Sequence, residues 1–255
     1  MKLLVCTNFA QPFHTGGAER IVQQITESLV SKGSISTVFC QHGDQTRFHN
    51  GVKVVPVGNL NDSQFIDKII EENADHLFIY SDWFFMWPAI LSNLYRLNMP
   101  KSIGLVGMNR MRSSIPSNKV VCDLFRKQHE QFSVIAHAES YIDSVTCKEW
   151  GVPVKIIHNS VDLTEFQKSD FDFKKHYGIK TEKMLLCVSN FFPGKGQEYL
   201  VPIISRLAAN HKDFTFVFIS STLAFQPGNR HRDFIKKDCE RMGLPVKFLS
   251  DIPRE

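Results

Sequence analysis

Short apolar runs alternate with longer amphipathic stretches along most of this sequence. The first run, Lys2–Thr7, is typical of a buried strand, and residues 19–31 after it place apolar side chains on one face of a helix. The pattern then repeats, with further strands predicted at residues 36–40, 52–57, 76–80, 103–106, 133–138, 184–189, 214–220 and 246–249. Because parallel strands need a crossover connection between them, this alternation predicts a mainly parallel α/β sheet covered by helices.

The second helix can be predicted in more detail. Asp62 is expected to cap it, because an aspartate side chain accepts hydrogen bonds from the first backbone N–H groups of a helix. The spacing of the apolar residues then predicts a buried stripe made of Phe65, Ile66, Ile69 and Ile70.

The composition changes near residue 165. Residues 165–182 are polar and contain no strand-like run, after which the alternation of strands and helices begins again. We therefore predict two Rossmann-like, doubly wound domains, at residues 1–166 and 167–255. Three strands make a small sheet for a stable domain, so we expect the second domain to be incomplete and the chain to be truncated within it.

Composition excludes several classes of protein. The 255 residues are 43% hydrophobic, which suits a chain with a buried core, and no apolar run reaches the roughly 18 residues of a membrane span. The N-terminus lacks an export signal, and a net charge of +4 is too small to indicate a nucleic-acid partner. The six cysteines show no C-x-x-C spacing, and Cys6, Cys40 and Cys187 lie in strand-like runs. We expect a cytoplasmic protein with buried thiols and no metal site.

Two adjacent glycines, Gly16 and Gly17, lie between the first strand and the first helix. Without a Cβ atom they let a ligand approach the backbone, and the start of a helix attracts a phosphate. The alternative is an ordinary tight turn, with Thr15 as the helix cap and Glu19 favourably placed in the first turn. For Arg20, a surface ion pair is the commoner role.

Lys195 lies between glycines just after a strand of the second half. Its ammonium group is a compact charge that would stabilise a departing phosphate. The alternative is a solvated loop lysine. The segment is not a P-loop, because Gln197 stands where a serine or threonine would hold magnesium.

Three other segments are predicted to be structural. Residues 158–162 form a polar turn after a strand, in which Asn159 and Asp162 can bond their own backbone. The D-x-D pattern at residues 170–172 lies in the polar linker, where helix capping explains it better than metal binding. The aromatic run at residues 83–87 is expected to be a buried helix start, with peripheral membrane contact as the alternative.

Three motifs together resemble one large family. Gly-Gly-Ala-Glu-Arg at residues 16–20, His-Asn-Ser-Val-Asp at 158–162 and Val-Ser-Asn-x₄-Lys-Gly at 188–196 follow the order and spacing of retaining GT-B glycosyltransferases, of the family 4 type. The resemblance implies transfer of a sugar from a nucleotide-diphosphate donor to a glycan or lipid-linked acceptor, as in polysaccharide biosynthesis. It implies no cofactor and no obligatory metal, with the acceptor mainly in the first domain and the donor in the second.

The resemblance also assigns roles to individual residues. Gly16, Gly17 and Asn190 would contact the donor phosphates, and Lys195 would be the catalytic residue that neutralises the leaving phosphate. Arg20 and Arg110 would lie on the acceptor or phosphate side. The turn at Asn159–Asp162 would form a structural bridge between the domains.

Several positions depart from the family pattern. Asn190 stands where an arginine is usual, Ser160 replaces a glycine, and residues 103–110 lack the expected histidine. The paired glutamates of the E-x₇-E motif would lie beyond Glu255. Asn190 and the missing glutamates favour an alternative, a non-catalytic or half-site GT-B protein that needs a partner chain to complete its donor site. A nicotinamide-dependent reductase would share the architecture, but its glycine fingerprint is absent.

Overall fold

The computed structural model describes residues 1–13, 16–81, 85–106, 116–161, 163, 170–192, 195–221 and 226–252, without the side chains of 116–118 and 226–228. The chain forms two compact units, Met1–Val161 and Asp162–Glu255. Each unit has its own sheet and its own helices.

The described part of the first unit contains an eight-stranded sheet. Its strands are β1 (Lys2–Cys6), β2 (Ile35–Cys40), β3 (Arg47–His49), β4 (Val52–Pro56), β5 (His76–Ile79), β6 (Lys101–Leu105), β7 (Ser133–Ala136) and β8 (Val154–Ile156). They lie in the order β3-β4-β2-β1-β5-β6-β7-β8, and every pair except β3–β4 is parallel. The helices are α1 (Gly17–Ser31), α2 (Asp62–Glu72), α3 (Trp87–Ser92), α4 (Pro116–Gln128) and α5 (Ile142–Glu149).

Helices cover both faces of this sheet. Successive side chains of a strand point to opposite faces, and in β1 Leu4 joins the cluster that contains Phe65 of α2. Its neighbour Val5 joins a second cluster, which contains Val22 of α1. The first unit is therefore doubly wound, and the prediction of a mainly parallel α/β sheet is confirmed.

The second unit contains a smaller sheet of the same kind. Its described strands are β9 (Lys183–Val188), β10 (Phe214–Ser220) and β11 (Val246–Ser250), which are parallel in the order β11-β10-β9. The helices are α6 (Phe173–His176), α7 (Gln197–Asn210) and α8 (Gln226–Arg241). Aromatic rings dominate the core, where Phe191 and Phe248 pack against Phe218.

Two details of α2 differ from the prediction. The cap is Asn61 rather than Asp62: its Oδ1 accepts from the backbone of Gln64, whose side chain in turn accepts from the backbone of Asn61. This reciprocal pair satisfies two backbone donors, whereas a cap at Asp62 would lie one residue inside the helix. Ile70 was expected in the buried stripe but is 41% exposed, so the stripe is narrower than predicted.

Strand β9 is also more exposed than its apolar sequence predicts. It lies at an edge of the three-stranded sheet, and Leu186 and Val188 are 51% and 67% exposed. Strands of a parallel sheet are normally covered on both faces, which is why an apolar run predicted a buried strand here. Cys187 in the same strand is half-buried, whereas Cys6 and Cys40 are buried as expected.

One of the structural predictions is confirmed, and a second is confirmed for part of its range. Asp172 of the D-x-D pattern caps α6, accepting a hydrogen bond from the Lys175 backbone at 3.0 Å. At the end of the aromatic run, Met86 and Trp87 are buried at the start of α3; Trp83 and Phe84 lie outside the described residues. None of the helices in the described ranges is long and apolar enough to cross a membrane.

Candidate functional site

The start of α1 follows the carboxyl end of β1, at the edge where open α/β sheets bind their ligands. Gly16 is the N-cap residue, with φ −165° and ψ −178°, and α1 begins at Gly17, two residues earlier than predicted. Because the N-cap residue is a glycine, it has no side chain of its own to cap the helix. The expected cap, Thr15, lies outside the described residues.

The backbone at Gly17 does not require glycine. The extended backbone of Gly16 is one that any residue adopts, and Gly17 lies within the helix. A Cβ atom built on Gly17 would have no described atom within 4 Å. The described residues therefore leave space beside Gly17 that backbone conformation and packing do not explain.

The carboxylate of Glu19 folds back over Gly16. A Cβ atom on Gly16 would lie 2.2 Å from Oε2 of Glu19, so the carboxylate occupies the space that a side chain would fill. Glu19 is only 8% exposed, and this burial raises the pKa of its carboxyl group above the usual range, although its own backbone N–H opposes the shift. The start of α1 thus holds a carboxyl group of the protein itself.

Of the two arginines assigned to the acceptor or phosphate side, only Arg20 lies within the described residues. Arg20 is half-buried one residue beyond Glu19, and its guanidinium donates to Oε1 of Gln23 at 3.3 Å. This bond ties Arg20 to the next turn of α1. Arg110 lies outside the described residues.

Tyr80 and His137 form a hydrogen-bonded pair at the same edge of the first sheet, where they follow β5 and β7. Nδ1 of His137 lies 3.0 Å from the carbonyl oxygen of Ile157, which can only accept, so Nδ1 carries a proton. In the neutral ring Nε2 then accepts from the Tyr80 hydroxyl at 2.8 Å. Burial, followed by the nearby Tyr141 and Glu19, raises the pKa of Tyr80, which keeps the phenol protonated.

Gly104 of β6 makes this pairing possible. Strand β6 lies between β5 and β7, so the Tyr80 ring must cross it to reach His137. A Cβ atom on Gly104 would lie 2.7 Å from Cδ2 of Tyr80 and 3.1 Å from Cζ of Phe78. Neither residue was predicted as part of a site; the only signal for them in the sequence is a polar residue at the end of each of two apolar strand runs.

In the second unit, Asn190 follows β9 and ties it to the neighbouring strand. Its Oδ1 accepts from the backbone N–H of Ser221, just after β10, at 3.0 Å. An arginine at this position could not accept that bond, because guanidinium groups only donate. The departure from the family pattern at Asn190 therefore has a structural role within this unit.

Lys195 is exposed, in the loop that joins β9 to α7. Its backbone N–H donates to the carbonyl of Phe192 at 2.9 Å. Gly196 follows with φ +84°, a conformation that favours glycine, and α7 begins at Gln197. Asn190 and Lys195 thus both lie in the segment that follows β9. Gly16, Gly17 and Arg20 lie together in the other unit.

Side chains that could bind a metal ion are not clustered within the described ranges. Among those residues, no three His, Cys, Asp or Glu side chains are arranged to hold a metal ion. Asn159 lies after β8, and Asp162, its expected partner in the polar turn, lies outside the described residues.

Similarity to known proteins identifies the fold of the chain. No family model matches the chain. An uncharacterized glycosyltransferase of Methanocaldococcus jannaschii is 23% identical over 276 residues, covering 98% of this chain and 68% of its own. Anabaena HepE in complex with UDP-glucose has a TM-score of 0.76 at 18% identity, over 100% of this chain and 70% of its own. The chain has a GT-B-like fold.

Two further solved structures share this GT-B-like fold. Sucrose-phosphate synthase from Thermosynechococcus elongatus has a TM-score of 0.72 at 13% identity, over 100% of this chain and 71% of its own. A UDP-forming α,α-trehalose-phosphate synthase from Burkholderia xenovorans has a TM-score of 0.66 at 13% identity, over 98% and 73%. At such low identities the likeness concerns the fold alone.

Proposed function

We propose that this chain is a retaining glycosyltransferase that uses a nucleotide-diphosphate sugar. The observation that carries the proposal is Gly17 at the start of α1, where a Cβ atom would meet no described atom within 4 Å, so that packing against the described residues does not require glycine there. A helix start with accessible N–H groups is suited to a diphosphate. HepE, which shares the GT-B-like fold, is described in complexes with UDP and UDP-glucose, which supports a uridine nucleotide as the donor.

We assign the site residues the roles that the resemblance implies. Gly16 and Gly17 receive the donor diphosphate, and Lys195 neutralises the phosphate that leaves when the glycosidic bond to the nucleotide breaks. Because Oδ1 of Asn190 is bonded to Ser221, its Nδ2 is the atom that would donate to a phosphate. Arg20 and Arg110 act on the acceptor or phosphate side, and no metal is required.

We also propose a role for each unit, a class of acceptor and a cellular location. The acceptor side is assigned to the first unit, Met1–Val161, and donor binding to the second, Asp162–Glu255, so the boundary lies five residues before the one predicted at 166. The acceptor is a glycan or lipid-linked sugar of polysaccharide biosynthesis, handled in the cytoplasm with peripheral contact to a membrane surface.

Gly17→Ala tests the proposal. The added methyl group enters open space and suits a helix, so Tm should stay the same or rise slightly. The same methyl group would hold a diphosphate away from the backbone, so we expect affinity for UDP-glucose to fall about tenfold or more. Isothermal titration of the purified variant and the wild type measures both affinities.

Ser28→Ala is the matched control, because it places alanine on an exposed position of the same helix, away from the first turn. It should leave affinity unchanged. Equal UDP-glucose affinity in wild type and Gly17→Ala would remove the glycine turn from the donor site.

The second candidate is a half-site protein whose donor site is completed by a partner chain. The exposed apolar side chains of edge strand β9 favour it, because a bare strand edge is a template for a further strand. This candidate predicts that the purified chain alone neither binds UDP nor transfers sugar. Detectable UDP binding in equilibrium dialysis would contradict it and favour the complete enzyme.

A further inference from the structure

The loop that carries Lys195 is held at several points by its own unit. Before Lys195, Phe191 is buried in the core against Phe218 and Phe248. At Lys195 itself, the backbone N–H bonds to the Phe192 carbonyl at 2.9 Å. These contacts fix the stem of the loop, but they do not by themselves join its two ends.

Gln197 joins the two ends. It is the first residue of α7, and its Nε2 donates to the backbone carbonyl of Asn190 at 3.1 Å. Asn190 is in turn bonded through its own Oδ1 to Ser221. One side-chain amide therefore links the residues before and after Lys195 and connects both to the end of β10.

The carbonyl oxygen of the Gln197 side chain does not stabilise the fold. The side chain is 2% exposed, and its Oε1 is buried without a hydrogen-bond partner among the described residues. A buried polar atom without a partner is destabilising, whereas methionine would fill a similar volume without that cost. What glutamine contributes here, and methionine cannot, is the bond to Asn190.

We propose that Gln197 is a positioning residue for Lys195. It holds the β9–α7 loop so that the Lys195 ammonium group stays in one position. The destabilising consequence is that Oε1 of Gln197 is buried without a hydrogen-bond partner among the described residues. The proposal rests on the proposed function for its catalytic consequence, and on contacts within the second unit for its structural part.

Trypsin tests the structural part without any assay of activity. Lys195 is exposed and followed by Gly196, so the bond between them is a cleavage site, and cleavage requires the loop to open locally. In Gln197→Met, cleavage at this bond should be about five- to tenfold faster than in wild type, as expected from the loss of one hydrogen bond. Tm should be unchanged or higher, because the unpaired oxygen is gone.

Two variants make this measurement specific. Gln197→Leu is a second apolar substitution that should behave like Gln197→Met. Asn210→Ala is the matched control: Nδ2 of Asn210 bonds to the Arg206 carbonyl at the far end of the same helix, so its loss should not change cleavage after Lys195. Equal cleavage rates at Lys195 in wild type and both Gln197 variants would overturn the proposal.

A double-mutant cycle tests the catalytic part. If Gln197 acts through Lys195, Gln197→Met should lower kcat about fivefold or more in the wild-type chain and leave kcat unchanged in Lys195→Ala. Equal effects in both backgrounds would contradict the positioning role. A wild-type chain without transferase activity would instead contradict the proposed function, while the trypsin result would still decide whether Gln197 holds the loop.

Discussion

Replacing Lys195 by alanine is expected to lower kcat with a nucleotide-sugar donor by about 10²- to 10³-fold, the usual effect of removing one preorganised group that stabilises developing charge. The negative charge on the departing phosphate grows in the transition state, so the loss should fall on kcat more than on KM. Steady-state kinetics with UDP-glucose measure both constants.

Two further substitutions serve as comparisons for Lys195→Ala. Lys195→Arg keeps the charge but spreads it over a planar group, so we expect a partial loss of kcat. Lys180→Ala removes an exposed lysine elsewhere in the second unit and should leave kcat unchanged. If Lys195→Ala turned over as fast as Lys180→Ala, Lys195 would be only a solvated loop residue.

Replacing Gly104 by valine should be the most destabilising change considered for the first unit. Its Cβ would lie 2.7 Å from the buried Tyr80 ring, so the ring must move and the bond to His137 is lost. Overpacking costs about 1–3 kcal/mol, and breaking a buried hydrogen bond costs about 1–3 kcal/mol more. We expect a loss of about 3 kcal/mol, seen as a fall in Tm of about 6–12 °C.

Tyr80→Phe separates the two contributions. It removes only the hydroxyl group and keeps the ring over Gly104, so it should cost about 1 kcal/mol, the typical value of one hydrogen bond. Differential scanning calorimetry of both variants gives the comparison. If Gly104→Val were as stable as Tyr80→Phe, the Tyr80 ring would have room to move. Glycine at position 104 would then not be needed for the ring to pass over β6.

The sequence contained most of the information about the fold. Apolar runs such as Phe214–Ser220 predicted strands with the observed bounds, because a buried strand needs a continuous apolar run. Strand β3 was missed since it has three residues and its Phe48 is exposed, which leaves no apolar pattern. Strand β9 was predicted as buried because hydropathy does not report whether a neighbouring strand is present.

The candidate site could be predicted only where it depends on the backbone. Adjacent glycines and a lysine between glycines are visible as motifs, so Gly16, Gly17 and Lys195 stood out. Glu19, Tyr80 and Gln197 did not, because their roles come from contacts with groups that only the fold brings near. The bond from Gln197 to Asn190 crosses a loop, and that from Tyr80 to His137 crosses a strand.

The bonds around Tyr80 have a consequence for how the first sheet opens. Thr7 after β1 donates to the Tyr80 carbonyl, the Tyr80 hydroxyl bonds to His137, and His137 donates to Ile157 after β8. These bonds run across the strand ends rather than along the strands. The residues that directly follow β1, β5, β7 and β8 are therefore coupled, and we expect local opening at any one of them to weaken the bonds of the others.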